Sequence, residues 1–223
     1  MLNLFIVFDP STFYMSMNWM SSILSMFMLP QMYWLLKSRL IWIYMYMFNL
    51  LLTEFKILLV YKFNIVNNLY FLIMFFYILL NNYLGLFMYI FTSSSHLVFS
   101  MWLTFSMWLS FMMFGWYKNM NFMFIHLVPL GTPFILMFFM VIIETLSNLI
   151  RPLTLCIRLT ANMIAGHLLL VLLSIFIIDL INIYIMILIL QIMLLILEMS
   201  VSIIQSYVFT ILMILYMKEI NYD

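Results

Sequence analysis

Charge is what this sequence has least of: 7% of its 223 residues are Asp, Glu, Lys or Arg, against roughly 25% in soluble domains. That excludes a water-facing shell around a soluble core. With 69% hydrophobic residues, the surface must face lipid. Cysteine is nearly absent as well. Cys156 stands alone in an apolar run, which excludes a disulfide framework or a cysteine metal cluster and leaves a small buried apolar residue. There are four glycines, and none forms a phosphate-cradling loop. His96, His126 and His167 lie on separate segments, so neither a paired-histidine metal motif nor haem ligation is expected. No cofactor and no metal are expected. No basic residue precedes Lys37, so the start has neither the cationic head of a secretory signal nor the Arg-rich face of a transit peptide. No internal repeat is visible.

Alanine is also scarce: only Ala161 and Ala165 occur, beside 25 Met. This skew is that of a very AT-rich coding genome. A membrane protein made inside an organelle fits it, and an AT-rich bacterium fits nearly as well.

A transmembrane helix needs ~20 mostly apolar residues, so the expected fold is an all-α polytopic membrane protein of about five to six helices in a single membrane-embedded unit. Residues 12–30 are an uncharged first span ending at Pro30. Residues 31–68 mix aromatics with Lys37, Arg39, Glu54, Lys56 and Lys62 and read as an amphipathic interfacial segment, with a second deep span as the alternative. Residues 69–91 form a conventional span, Thr92 to Ser95 a polar turn, and 96–116 a return span followed by Lys118, Asn119 and Asn121. Pro129, Gly131 and Pro133 mark a helix start near Thr132. Two long helices follow, 134–178 and 183–218, broken near Asp179 and Asn182.

Lys and Arg near span ends favour the side of insertion. Lys37, Arg39, Lys56, Lys62, Lys118 and Lys218 share one side if the N-terminus starts on the other. In a mitochondrion the basic side is the matrix, with Asp9 and Asp179 toward the intermembrane space.

The last two helices carry ionisable residues deep in apolar sequence. Glu144, Arg151 and Arg158 repeat every seven residues, a step that returns to within about 20° of one face, so they form a stripe ~21 Å long. Pro152 interrupts it. Gln191, Glu198 and Gln205 repeat the same spacing on the next helix. An antiparallel hairpin turning near Asn182 puts Arg158 level with Gln205, and His167 level with Glu198. Ala161 and Ala165 lie near the Arg158 face, where small side chains let another helix approach closely, one whose acid could pair with the arginine. His167 lies about 180° from Arg158 around the helix and could line a separate aqueous path with Glu198. An arginine at mid-bilayer is unfavourable by about 2.5 to more than 10 kcal/mol. Something must use or neutralise that charge.

The run Arg151-Pro-Leu-Thr-Leu-Cys-Ile-Arg-Leu-Thr-Ala-Asn-Met-Ile-Ala-Gly-His167 resembles the signature of ATP synthase subunit a. The family core, Arg-Leu-x-x-Asn-x-x-x-Gly, is present as Arg158, Leu159, Asn162 and Gly166. Glu198, Gln205 and Glu144 fall at the family's acidic and amide positions. His167 with Glu198 resembles the mitochondrial form, and Leu4 to Ser11 resembles insect versions. Arg151 departs from the neutral residue often found there.

The resemblance implies a steeply tilted hairpin against a rotating c-ring, with two offset half-channels that load and unload its carboxylates. His167 and Glu198 would serve the intermembrane-space channel and Glu144 the matrix channel. Arg158 would divide them, Asn162 and Gln205 would hydrogen-bond near the crossing, and Arg158, Ala161 and Ala165 would touch the ring. It further implies peripheral-stalk and other membrane-sector subunits as partners, no nucleic acid, and no catalysis in this chain. A cation ~4 Å from a carboxylate attracts it by about 4 kcal/mol at an effective dielectric of about 20, roughly three pKa units. The alternative is a secondary transporter or a respiratory proton-channel subunit. The broken repeats or lysine relay expected of either are not visible.

Overall fold

The computed structural model describes residues 4–12, 14–29, 36, 38–59, 65–87, 89–128, 133–179 and 184–220. They hold seven α-helices: α1 (Met20–Phe27), α2 (Arg39–Leu58), α3 (Ile65–Gly85), α4 (Leu97–Lys118), α5 (Met120–His126), α6 (Phe134–Asp179) and α7 (Tyr184–Ile220). Short 3-10 turns occupy Leu4–Phe8, Met17–Trp19 and Ser93–Ser95. Among the described residues there is no strand, only an isolated bridge between Thr12 and Met15. The fold is all-α, as expected from a chain whose backbone must satisfy its own hydrogen bonds in lipid. Five helices, α2, α3, α4, α6 and α7, are long and apolar enough to cross a membrane. These five agree with the expected five to six, and two short helices, α1 and α5, accompany them.

The N-terminal third differs most from the hydropathy reading. Within 12–30 the Thr12 hydroxyl donates to the Met15 carbonyl in a tight turn, and α1 then has only eight residues. That is ~12 Å of helix, well short of the ~30 Å hydrocarbon layer. Within 31–68, by contrast, α2 has 20 residues, started by Ser38, whose hydroxyl accepts from the Ile41 N–H. This side-chain acceptor replaces one of the bonds a helix start lacks. Arg39, Glu54 and Lys56 on α2 are exposed, while Leu51 and Phe55 are buried. The expected helix start near Thr132 and the break at Asn182 lie outside the described residues. So do Pro30, Lys37, Lys62 and Pro129, and the side chains of His126 and Asp179.

Four long helices build the scaffold: α3 packs along α7, α4 along α6, and α6 against α7. Phe55, Phe71, Leu72, Leu155, Phe209, Met213 and Ile214 join α2, α3, α6 and α7 in one apolar core. Most buried hydroxyls look after themselves. Ser202 donates to Met199 O at 2.8 Å, Ser206 to Ile203 O at 2.8 Å, and Thr210 to Ser206 O at 3.2 Å. Such back-bonding to the preceding turn hides a hydroxyl within its own helix.

Helix α6 has 46 residues and α7 has 37, hence lengths of ~69 and ~56 Å. Both exceed the ~30 Å hydrocarbon thickness, so the pair must run obliquely or project beyond it. Pro152 lies inside α6, where its missing N–H leaves the Asn148 carbonyl without its usual donor and favours a bend.

Candidate functional site

The polar residues of α6 and α7 separate into three places. The first is a cavity of about 490 Å³ between the two helices and the end of α3, lined by Asn82, Asn162, His167, Glu198, Ser202 and Gln205 among apolar neighbours. Here Asn162 Nδ2 donates to Gln205 Oε1 at 3.0 Å. Both ring nitrogens of His167, both carboxyl oxygens of Glu198 and both side-chain polar atoms of Asn82 are buried without a hydrogen-bond partner among the described residues. Buried polar atoms are normally paired. Six such atoms around one cavity leave hydrogen-bonding capacity that water in the cavity can satisfy.

Two close approaches shape this cavity. A Cβ added at Gly166 would lie 2.8 Å from Glu198 Cδ and 2.9 Å from Oε1, so the carboxyl occupies the space that a side chain at 166 would take. At Gly85 the same construction meets Met163 Cε at 2.8 Å, letting the end of α3 seat against α6. On the other side the Phe8 ring stands edge-on to His167, with centroids 5.5 Å apart. The Phe8 carbonyl lies 3.0 Å from His96 Nε2. The N-terminal turn is thereby tied over the histidine.

The second place is a cavity of about 540 Å³ lined by Glu144, Thr145, Asn148, Arg151, Tyr216 and Glu219, with Trp108 and Trp116 nearby. Arg151 Nη1 donates to Glu219 Oε2 at 2.7 Å.

The third is the outer face of α6. Arg158 and Ala161 are exposed there, with Asn162 and Ala165 at its border with the first cavity, which both also line, while Leu155, Leu159, Met163 and Leu170 turn inward. Arg158 lies between the two cavities along α6 and lines neither. Among the described residues the guanidinium has no ion pair, the one pair being Arg151 with Glu219.

His167 and Glu198 thus meet around one cavity, though without a direct hydrogen bond. Glu144 stands apart in the other. The expected level meeting of Arg158 with Gln205 is replaced by Asn162 with Gln205, one helical turn further along. Asn82 and the contributions of Phe8, Tyr216 and Glu219 were not anticipated. Asn82 could have been suspected from the Asn81-Asn82 pair inside an otherwise apolar, uncharged span. Nothing local signals Phe8. Among the described residues no three of His, Cys, Asp and Glu converge as a metal would require.

Against known proteins, the model of the family described as ATP synthase A chain matches residues 60–218. The chain is 52% identical over 234 residues to ATP synthase subunit a of Drosophila melanogaster, covering 99% of this chain and 100% of that relative. It is also 52% identical over 236 residues to subunit a of Anopheles gambiae and 51% identical over 236 residues to that of Aedes aegypti, at the same coverage of 99% and 100%.

Proposed function

Because the chain belongs to the ATP synthase A chain family, a component of the membrane sector of that complex, we propose that it conducts protons between two offset half-channels and a rotating ring of carboxylate-bearing c subunits. The observation that supports this most is the arrangement along α6: one cavity on each side of Arg158, and Arg158 itself on an exposed face with Ala161, next to Ala165 at the border of the first cavity. A proton enters through the cavity of His167 and Glu198 and is passed to a ring carboxylate. It travels with the ring and leaves past Glu144. Arg158 favours the ionised ring acid as it passes and repels a proton attempting the direct route. Asn162 and Gln205, already bonded to each other, hold the crossing of α6 and α7. The ATP chemistry belongs to other subunits, and peripheral-stalk and other membrane-sector subunits hold this chain against the ring. The location is the mitochondrial inner membrane, with the N-terminus toward the intermembrane space and the C-terminus toward the matrix.

The test is a crosslink. Cysteine placed at Ala161 or Ala165 in the assembled complex is expected to join, under mild oxidation, to cysteines on the outer helix of a c subunit. Native Cys156, 0% exposed, serves as the inert control. Absence of any such adduct in intact complex would show that this face does not touch the ring.

Gly166→Ala probes the uptake cavity. The obstructing atoms belong to the flexible end of Glu198, so the helix pair holds while the carboxyl swings away. The expected result is normal assembly with proton conduction reduced about tenfold, equivalent to ~1.4 kcal/mol in barrier. Unchanged conduction would show that the position of the carboxyl does not matter.

A further inference from the structure

The Arg151–Glu219 pair raises an electrostatic question that the two-channel reading leaves open. Arg151 and Glu144 share a face of α6 seven residues apart and line the same cavity. The separation is ~10 Å along the axis, within the combined reach of an arginine and a glutamate. A free Arg151 would turn to Glu144, hold it as a carboxylate and oppose the approach of a proton.

The guanidinium is instead drawn across to α7. Glu219 accepts from Nη1 at 2.7 Å, and Arg151 Cζ lies 5.4 Å from the centroid of the Tyr216 ring. Tyr216 and Glu219 are three residues apart and so share one face of α7. They lie in or beside its last turn, where exposed carbonyls favour a cation. Pro152, next to Arg151, favours a bend of α6 in the turn that precedes it.

We infer that Glu219, with Tyr216 beneath it, is a positioning residue for proton transfer past Glu144 in either direction: it captures Arg151 so that Glu144 remains free to take up and pass on protons. This rests on the proposed exit past Glu144. The cavity holds two carboxylates and one guanidinium. Pairing two of them leaves a single uncompensated acid.

The experiment uses the whole complex in vesicles, with ATP-driven proton pumping as the readout and ATP hydrolysis with the assembled amount as controls. Glu219→Gln is expected to slow pumping roughly five- to tenfold, because Arg151 is released toward Glu144; tenfold is ~1.4 kcal/mol. Glu219→Asp is expected to retain most of the rate. The decisive variant is Glu219→Gln combined with Arg151→Gln, which removes the stray cation and is expected to restore at least half of the lost rate. A mere structural tie between α6 and α7 is broken equally in the single and double variants, so a double variant as slow as Glu219→Gln overturns the inference. Normal pumping by Glu219→Gln overturns it too. Glu144→Gln separates the two levels: normal pumping there defeats the exit reading itself, whatever Glu219 does.

Discussion

Replacing Arg158 with alanine is expected to abolish proton-driven ATP synthesis while leaving ATP hydrolysis by the rest of the complex measurable. The reason lies in the placement of the side chain. Arg158 is exposed on α6 between two cavities and lacks an ion-pair partner among the described residues, so its charge is available to a neighbour. A charge that costs about 2.5 to more than 10 kcal/mol at mid-bilayer is not kept there for packing. At ~4 Å from a carboxylate and an effective dielectric of about 20 it supplies about 4 kcal/mol, which is lost entirely with alanine. Arg158→Lys retains a charge but on a shorter, compact head that lacks the planar fork, and is expected to recover only a small part of the rate. The measurement is ATP synthesis driven by an imposed proton gradient across vesicles holding the whole complex. Synthesis retained by Arg158→Ala would end the mechanism.

The second large effect is expected from Glu198→Gln. The carboxyl is buried beside Gly166, and its two oxygens face a cavity shared with both unpartnered nitrogens of His167. A carboxamide of the same shape fills the same space but cannot bind and release a proton. Loss of a positioned proton-transfer group typically costs 10² or more, so passive proton conductance is expected to fall by roughly 10². Glu198→Asp, which keeps the acid but withdraws it, is expected to fall between the two. Conductance equal to that of the unaltered protein in Glu198→Gln would remove Glu198 from the path.

Much of this was readable from residue spacing. Glu144, Arg151 and Arg158 do lie on one long helix and Gln191, Glu198 and Gln205 on the other, but Glu144 and Arg151 line a cavity that Arg158 does not, and His167 shares a cavity with Glu198 and Gln205 but not with Gln191. Where the reading slipped, helix geometry explains it. Level pairing assumes straight, parallel helices. Here α6 runs fifteen residues from Gly166 back to Arg151, while α7 runs twenty-one from Glu198 to Glu219. Long side chains such as Arg151 and Glu219 also reach several ångströms along the axis, so contacts need not be level, and Gln205 meets Asn162 rather than Arg158. Hydropathy likewise counts apolar residues without testing whether they form one uninterrupted helix, which is why 12–30 contains the eight-residue α1. Asn82 and Phe8 reach the site from elements far away in the chain. Long-range contacts of that kind leave no periodic trace.

The bare face of α6 also bears on how such a chain lives before it meets its neighbours. An isolated subunit presents a guanidinium and two methyl-sized side chains to acyl tails. It can relieve the charge only by drawing water or lipid headgroups inward and thinning the bilayer around it. Any membrane helix that brings a carboxylate to this groove removes that deformation as it binds. Association is then driven by repair of the surrounding lipid as much as by contact between proteins, and a lone cation in lipid favours an acidic companion over a neutral one.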